Sequence, residues 1–208
     1  HYKHIKFGLE NKINVICEKP TVLFPNQIFK LKNFGLKYKK KVYTILQLRL
    51  QKELIDFYFI QKCKFLIGSA SGPYIMAASF NKPMLLVDMA PLGNVLPMAQ
   101  KGLSMPKIYF NLLNKKKMSF EETLNNRASH LRLDVQFKKN KIKLINNTSN
   151  EIYNSTREIF KKVKNNNFKE DLLQKKFKKL LLSHKVDSAK ASTSISSSFI
   201  KKYRKLLN

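Results

Sequence analysis

At 208 residues the chain is long enough for one sizeable α/β domain or two small ones. Hydrophobic residues make up 43%, with 15 Phe and 8 Tyr, which excludes wholesale disorder. The formal charge of +28 rests on 41 basic against 13 acidic residues, almost all of the basic ones lysine, and reads as codon bias from a low-GC genome spread over a solvated surface rather than as a dedicated nucleic-acid site.

Residues Ile5 to Leu9 are apolar at helical spacing, with Asn11 as the helix stop. Ile13 to Cys17 reads as a short buried strand. Pro25 opens a second helix whose apolar side carries Ile28, Leu31, Phe34 and Leu36. Val42 to Leu46 is a strand, and Leu54, Ile55, Phe57, Tyr58 and Ile60 predict a buried helix ending near Lys62. Phe65-Leu66-Ile67 is the next strand, Tyr74 to Phe80 a short helix, and Pro83 to Asp88 another buried strand. Strand and helix alternating in this way predict a parallel sheet covered on both faces. Ala90 to Gly93 is a turn, and Met105 to Ile108 begins a further short element. Ser119-Phe120-Glu121-Glu122 has the form of a capping box. Another helix starts at Asn150, Asn165 to Asn167 interrupts it, and a lysine-rich amphipathic helix runs through Leu182. Ser192 to Ser198 reads as a serine-rich loop and Phe199 to Leu207 as a terminal helix.

No run approaches the roughly 20 apolar residues of a membrane-spanning helix, since Pro83 to Met98 is interrupted by Asp88, Pro91 and Gly93. A chain starting at His1 admits a fragment from which a leader was lost. Cys17 and Cys63 are expected to be buried thiols in a reducing cytoplasm. His1 and His4 have no ligand partner nearby in sequence, and neither a metal site nor a nucleophilic triad is evident.

The most informative local feature is Gly68-Ser69-Ala70-Ser71-Gly72. A buried strand that empties into small residues before a helix leaves backbone N–H groups at the helix start, where the dipole favours a phosphate. Ser69 and Ser71 add hydroxyls, and ligands gather at the carboxyl ends of strands in open parallel sheets. A plain strand-to-helix turn with a serine N-cap has the same form, so shape alone leaves the two readings level.

The stretch Glu53 to Tyr58, then Cys63 to Gly72, resembles a bacterial glycosyltransferase family with a GT-B-like fold. Phe80 to Val87, Ala90 to Gly93, Pro106 to Ile108, Ser119 to Glu122, Asn147 to Ile152 and Ile195 to Ile200 continue the resemblance through residue 208. It implies the Rossmann-like carboxyl-terminal half of such an enzyme, with the diphosphate of a nucleotide sugar held by Gly68, Ser69, Ser71 and Gly72. Pro91, Leu92 and Gly93 would lie at the cleft rim. It also implies a part in surface-polysaccharide or glycoconjugate synthesis, transferring a hexosyl or related group to a glycan or lipid-linked acceptor, with no metal or other cofactor.

The first fifty residues resemble another family. His1 to Phe7, Asn14 to Pro20 and Val42 to Leu50 are similar to the Gfo/Idh/MocA oxidoreductases, which use NAD(P) on sugars. That resemblance places Lys19, in Glu18-Lys19-Pro20, at the nicotinamide, but the G-x-G-x-x-G turn of a dinucleotide site is absent. The expected organisation is therefore composite: an oxidoreductase-like fragment over 1–50, a nucleotide-sugar-binding α/β domain over 51–165 and a basic helical tail over 166–208. The expected place is the cytoplasm, with a peripheral contact at the inner membrane face through the tail. An oxidoreductase remnant is the first alternative function and a basic nucleic-acid binder the second. Whether the chain is enzymatically active on its own stays open.

Overall fold

The computed structural model describes residues 2–17, 25–44, 54–93 and 101–207. It divides into two compact units, His1–Lys62 and Cys63–Asn208.

The smaller unit opens with α1 (Tyr2–Glu10), followed by β1 (Val15–Cys17), α2 (Pro25–Tyr38), β2 (Val42–Thr44) and α3 (Leu54–Lys62). β1 and β2 pair in parallel, Ile16 opposite Tyr43, so β1–α2–β2 is a crossover unit of the kind the alternation predicts. Ile5, Leu9 and Leu31 form its small core, with Tyr2, Val15 and Phe34 packed against them. Leu36 does not join the buried side of α2, being 69% exposed. Phe57 and Tyr58 of α3 are likewise exposed, and Ile60 is buried. The rest of the predicted strand, Ile45 and Leu46, and the Glu18-Lys19-Pro20 loop lie outside the described residues.

The larger unit is built on a four-stranded, all-parallel sheet flanked by helices, with a helical carboxyl-terminal part. Its strands are β3 (Leu66–Gly68), β4 (Met84–Met89), β5 (Gly102–Pro106) and β9 (Ser194–Ile195), in that spatial order. β4 is an inner strand, covered on both faces, so its sequence is a continuous apolar run with Met84, Leu85 and Leu86 fully buried. Gly102 is required where β5 starts: a Cβ there would stand 2.6 Å from the Met84 carbonyl oxygen and 3.0 Å from Thr193 Cγ2. α4 (Gly72–Ser79) joins β3 to β4.

β6 (Ile108–Asn111), β7 (Lys116–Lys117) and β8 (Ile142–Ile145) form a separate antiparallel sheet, with β6 in the middle. Between β7 and β8 lie α5 (Phe120–Asn125), a 3-10 turn at Ala128–His130 and α6 (Asp134–Lys139). α5 starts with the predicted capping box, Ser119 Oγ accepting from the Glu122 N–H at 3.0 Å and Glu122 accepting from the Ser119 N–H at 3.2 Å. α7 (Ser149–Lys164) and α8 (Leu172–Ser183) follow, each opened by a capping box, from Thr148 and from Asp171.

The predicted serine loop is instead β9 followed by α9 (Ser197–Lys202). β9 docks on β5 with Ser104 opposite Ile195, and the Ser196 N–H reaches the Ser104 carbonyl at 2.9 Å. One core runs through the unit, from Leu85, Leu103 and Met105 through Phe120, Phe137 and Phe177 to Ile195, Phe199 and Ile200.

Candidate functional site

The predicted site falls at the carboxyl ends of two neighbouring parallel strands, β3 and β4, which pair with Gly68 opposite Leu86. Gly68 is the last residue of β3, and Ser69 and Ala70 follow as an exposed turn. Ser71 stands at the N-cap of α4 with extended backbone (φ −154°, ψ 170°), but its hydroxyl does not cap the helix. Ser71 Oγ donates to the Ser69 carbonyl at 3.2 Å instead. The start of α4 is thus left without a side-chain acceptor, although Pro73 in its first turn has no N–H and the Tyr74 N–H donates to the Ser71 carbonyl at 3.2 Å. A Cβ added at Gly68 or at Gly72 would meet nothing within 4 Å, so open space borders the turn at both glycines. The hydroxyls of Ser69 and Ser71, a helix start without a side-chain cap and room for an approaching anion therefore coincide there.

Pro91, Leu92 and Gly93 are placed differently. Pro91 follows a cis peptide bond and is half-buried, while Leu92 and Gly93 are buried. The Leu92 N–H donates to the Tyr109 hydroxyl at 3.1 Å. The Gly93 N–H donates to the Ser129 carbonyl at 2.8 Å, and the Gly93 carbonyl accepts from the Ser188 N–H at 3.1 Å. A Cβ on Gly93 would press on Ser129 O at 3.0 Å and His130 Cε1 at 3.1 Å, so the close approach of this turn needs glycine. Proline has no N–H and the N–H groups of the other two are used, so this stretch shapes the strand end while the 68–72 turn faces outward.

Asp88 and Asn147, which no local sequence pattern pairs, organise the same strand end. β4 carries an irregularity between Leu86 and Met89, and Asp88 takes a left-handed backbone (φ 53°). The Asp88 N–H donates to Asn147 Oδ1 at 2.7 Å, and the Asn147 N–H returns to Asp88 Oδ1 at 2.6 Å. Asn147 Nδ2 donates in turn to the Pro106 carbonyl at 3.0 Å. One asparagine thus ties the carboxyl ends of β4 and β5 to the start of α7. The only trace of this in the sequence is a polar residue closing an apolar strand and an Asn just ahead of a capping threonine.

Burial pushes the Tyr109 hydroxyl up to about 12, against the opposing effect of the Leu92 N–H, so it stays protonated across the neutral range. Burial also raises the Cys63 thiol, with Lys82 opposing, which keeps it a weak nucleophile. The side chain of Cys17 lies outside the described residues, as does Lys19. Among the described residues, no three His, Cys, Asp or Glu side chains are grouped to hold a metal ion.

A separate cavity of about 40 Å³ lies between the sheet and α8, lined among others by Leu92, Ser104, Gln174, Phe177, Ser188 and Thr193. Ser188 Oγ and Thr193 Oγ1 are buried there without a protein partner among the described residues. The space suits water-sized groups and is far below the roughly 300 Å³ at which ligand pockets begin.

The Cys63–Asn208 unit is, by its own geometry, an α/β unit whose parallel sheet presents an open strand-to-helix turn at its carboxyl edge. No protein-family model matches the chain, and no solved structure matches it. No helix among the described residues is long and apolar enough to cross a membrane.

Proposed function

We propose that the Cys63–Asn208 unit is the nucleotide-sugar-binding part of a GT-B-like glycosyltransferase acting in bacterial surface-polysaccharide or glycoconjugate synthesis. The observation that carries the reading is the uncapped start of α4, bordered by open space at Gly68 and Gly72. A diphosphate would take the backbone N–H groups there and the hydroxyls of Ser69 and Ser71. As the leaving group it would be stabilised by the helix dipole and by basic side chains brought to it, without a metal. The acceptor, a glycan or a lipid-linked sugar, would be brought by a part of the enzyme other than this unit.

The test is a thermal-shift panel of UDP, UDP-sugars, GDP-sugars and NADPH at physiological salt, on the wild type and on Gly72→Asp. A ligand at 100 times its Kd stabilises by about 2.7 kcal/mol, which a melting curve resolves. Gly72→Asp has room for its side chain and places a carboxylate in the first turn of α4. The variant is therefore expected to fold as well as the wild type, or more stably by about 0.3–1 kcal/mol, and to lose the nucleotide-sugar shift. Stabilisation that survives Gly72→Asp would move the donor elsewhere. A shift with NADPH alone would replace this reading with the oxidoreductase one.

A further inference from the structure

The hairpin joining β6 to β7 is a protrusion with an apolar tip in a ring of lysines. Its turn is Leu112-Leu113-Asn114-Lys115, framed by side-chain hydrogen bonds to the backbone. Asn111 Oδ1 accepts from the N–H groups of Leu113 at 2.8 Å and Asn114 at 3.4 Å, and Asn114 Oδ1 accepts from the Lys116 N–H at 3.1 Å. Lys115 takes a left-handed backbone (φ 53°) to close it. The frame leaves Leu113 75% exposed and Leu112 45% exposed, while Met118 returns to the core. Lys115 ends the turn and Lys116 begins β7 directly beside it. On the other side the Leu112 N–H bonds to the Lys141 carbonyl at 2.8 Å, and Lys143 sits opposite Phe110 across the β6–β8 pair. Lys138 and Lys139, in the last turn of α6, adjoin that strand start. No ion pair holds any of these lysines among the described residues; the ion pairs present there involve Lys6, Lys190, Lys201 and Lys202.

We infer that this hairpin docks the protein on an anionic lipid bilayer. Leu112 and Leu113 enter the headgroup region while the surrounding lysines bind lipid phosphates. The chemistry separates this occupant from others. Exposed leucines at the tip add nothing to phosphate contacts on a nucleic acid, whose backbone is bound by charge. Two leucine side chains also fall well short of the roughly 800 Å² per partner that a stable protein interface buries. An apolar wedge within a cationic ring matches the interface of an anionic membrane, where buried apolar area and attraction to headgroups act together. The inference stands apart from donor binding at α4, and its test does not involve a nucleotide.

The full chain contains no tryptophan, so Leu113→Trp introduces a single indole at the tip. With vesicles of phosphatidylglycerol mixed into phosphatidylcholine, its emission is expected to shift to the blue and the protein to co-float. Pure phosphatidylcholine vesicles are expected to give neither. In the otherwise unaltered chain, Leu112→Ser with Leu113→Ser is expected to weaken co-flotation on the order of tenfold or more, as is Lys115→Glu with Lys116→Glu. Leu172→Ser, at an 83% exposed leucine on the lysine-rich α8, is expected to leave it unchanged. Indole emission from Leu113→Trp that is indifferent to anionic vesicles would overturn the inference. So would a Leu112/Leu113 double variant that floats like the wild type. Loss of binding in Leu172→Ser alone would place the contact on α8. Self-association removed by Leu113→Ser, without vesicle binding, would assign the tip to a second copy of the chain.

Discussion

Glu151 is a charged residue only 5% exposed, and its surroundings account for its place in the core. Burial alone raises a carboxyl, but Lys202 Nζ at 2.6 Å, the Tyr203 hydroxyl at 2.6 Å and the Thr148 N–H at 2.6 Å donate to it, and the net effect holds it below the usual carboxylate range. Asp171 follows the same pattern: burial raises it, and the Ser197 hydroxyl, the Gln174 N–H and Lys201 bring it below its ordinary value. For a group whose folded pKa is depressed, the stabilisation is present above the unfolded value, about 4 for these side chains, and is lost as pH falls through the folded one. Urea midpoints are therefore expected to hold from pH 7 to 5 and to fall below about pH 4, with a shallower acid limb in Glu151→Gln; an unchanged limb in that variant would place the acid sensitivity elsewhere. Tyr109 and Tyr203 are both raised, chiefly by burial and for Tyr203 also by Glu151. Their contribution is full below the ordinary tyrosine value of about 10 and is lost as pH rises through the folded one. At Gly93 the nearest obstacle to a Cβ is a backbone oxygen, which cannot swing aside. Gly93→Ala is expected to cost about 1–3 kcal/mol by overpacking, whereas Gly68→Ala, facing open space, is expected to cost far less; equal urea midpoints for the two would contradict this packing.

At the scale of elements, the backbone at the join between β9 and α9 is held by a carboxylate, with Asp171 taking the Ser197 hydroxyl beside it. Glu158, projecting from α7, accepts from the Ser197 and Ser198 N–H groups at 3.0 Å each and from the Ser196 hydroxyl at 2.8 Å. Ser155, in the same buried cluster, meets Ser196 Oγ at 2.7 Å and Ser198 Oγ at 3.1 Å. The start of this helix is thus occupied from within the protein, unlike the start of α4. Glu158→Ala strips acceptors from two backbone donors and a buried hydroxyl, and is expected to cost about 1.5–3 kcal/mol. Hydrogen exchange at Ser194 to Phe199 is expected to rise along with it, and unchanged protection there would show that α9 is anchored otherwise. The contrast explains what the sequence made legible. The strands predicted at Phe65-Leu66-Ile67 and at Pro83 to Asp88, which fall on β3 and β4, are readable because strands of a covered parallel sheet need unbroken apolar runs. Ser119 and Glu122 were readable because a capping box is local. β9 was not, because Ser194 and Ile195 form a strand only through pairing with β5, and a polar run carries no periodicity that reveals a distant partner. The antiparallel sheet of β6, β7 and β8 was hidden for the same reason, the two exposed lysines of β7 having no strand signal of their own. At the candidate site the 68–72 turn was visible as a local pattern, whereas the commitment of Leu92 and Gly93 to Tyr109 and Ser129 is tertiary and had no sequence trace.

The whole molecule is set by its charge and by its division at residue 62. With a formal charge of +28 and four ion pairs among the described residues, repulsion between lysines works against the compact state. The melting temperature is expected to rise between roughly 10 and 150 mM salt, as the screening length falls from about 30 to about 8 Å; a flat profile would mean that the lysines are too well solvated to repel. The core running from Leu85 to Leu207 lies wholly within the second unit. Residues 63–208 expressed alone are therefore expected to melt cooperatively, and a non-cooperative melt would show that the first unit is needed for folding. The order of strands has a consequence for how that unit is made. β9 lies beside β5 but follows it only after β6, β7, β8 and all of α5 through α8 have been synthesised. Until then β5 has an open hydrogen-bonding edge, a template for pairing with any other extended chain. The long loop must also close before β9 can cover that edge, which slows folding more than it reduces final stability. A chain ending before Ser194 would keep the edge open permanently, and the expected fate of such a product is aggregation through β5.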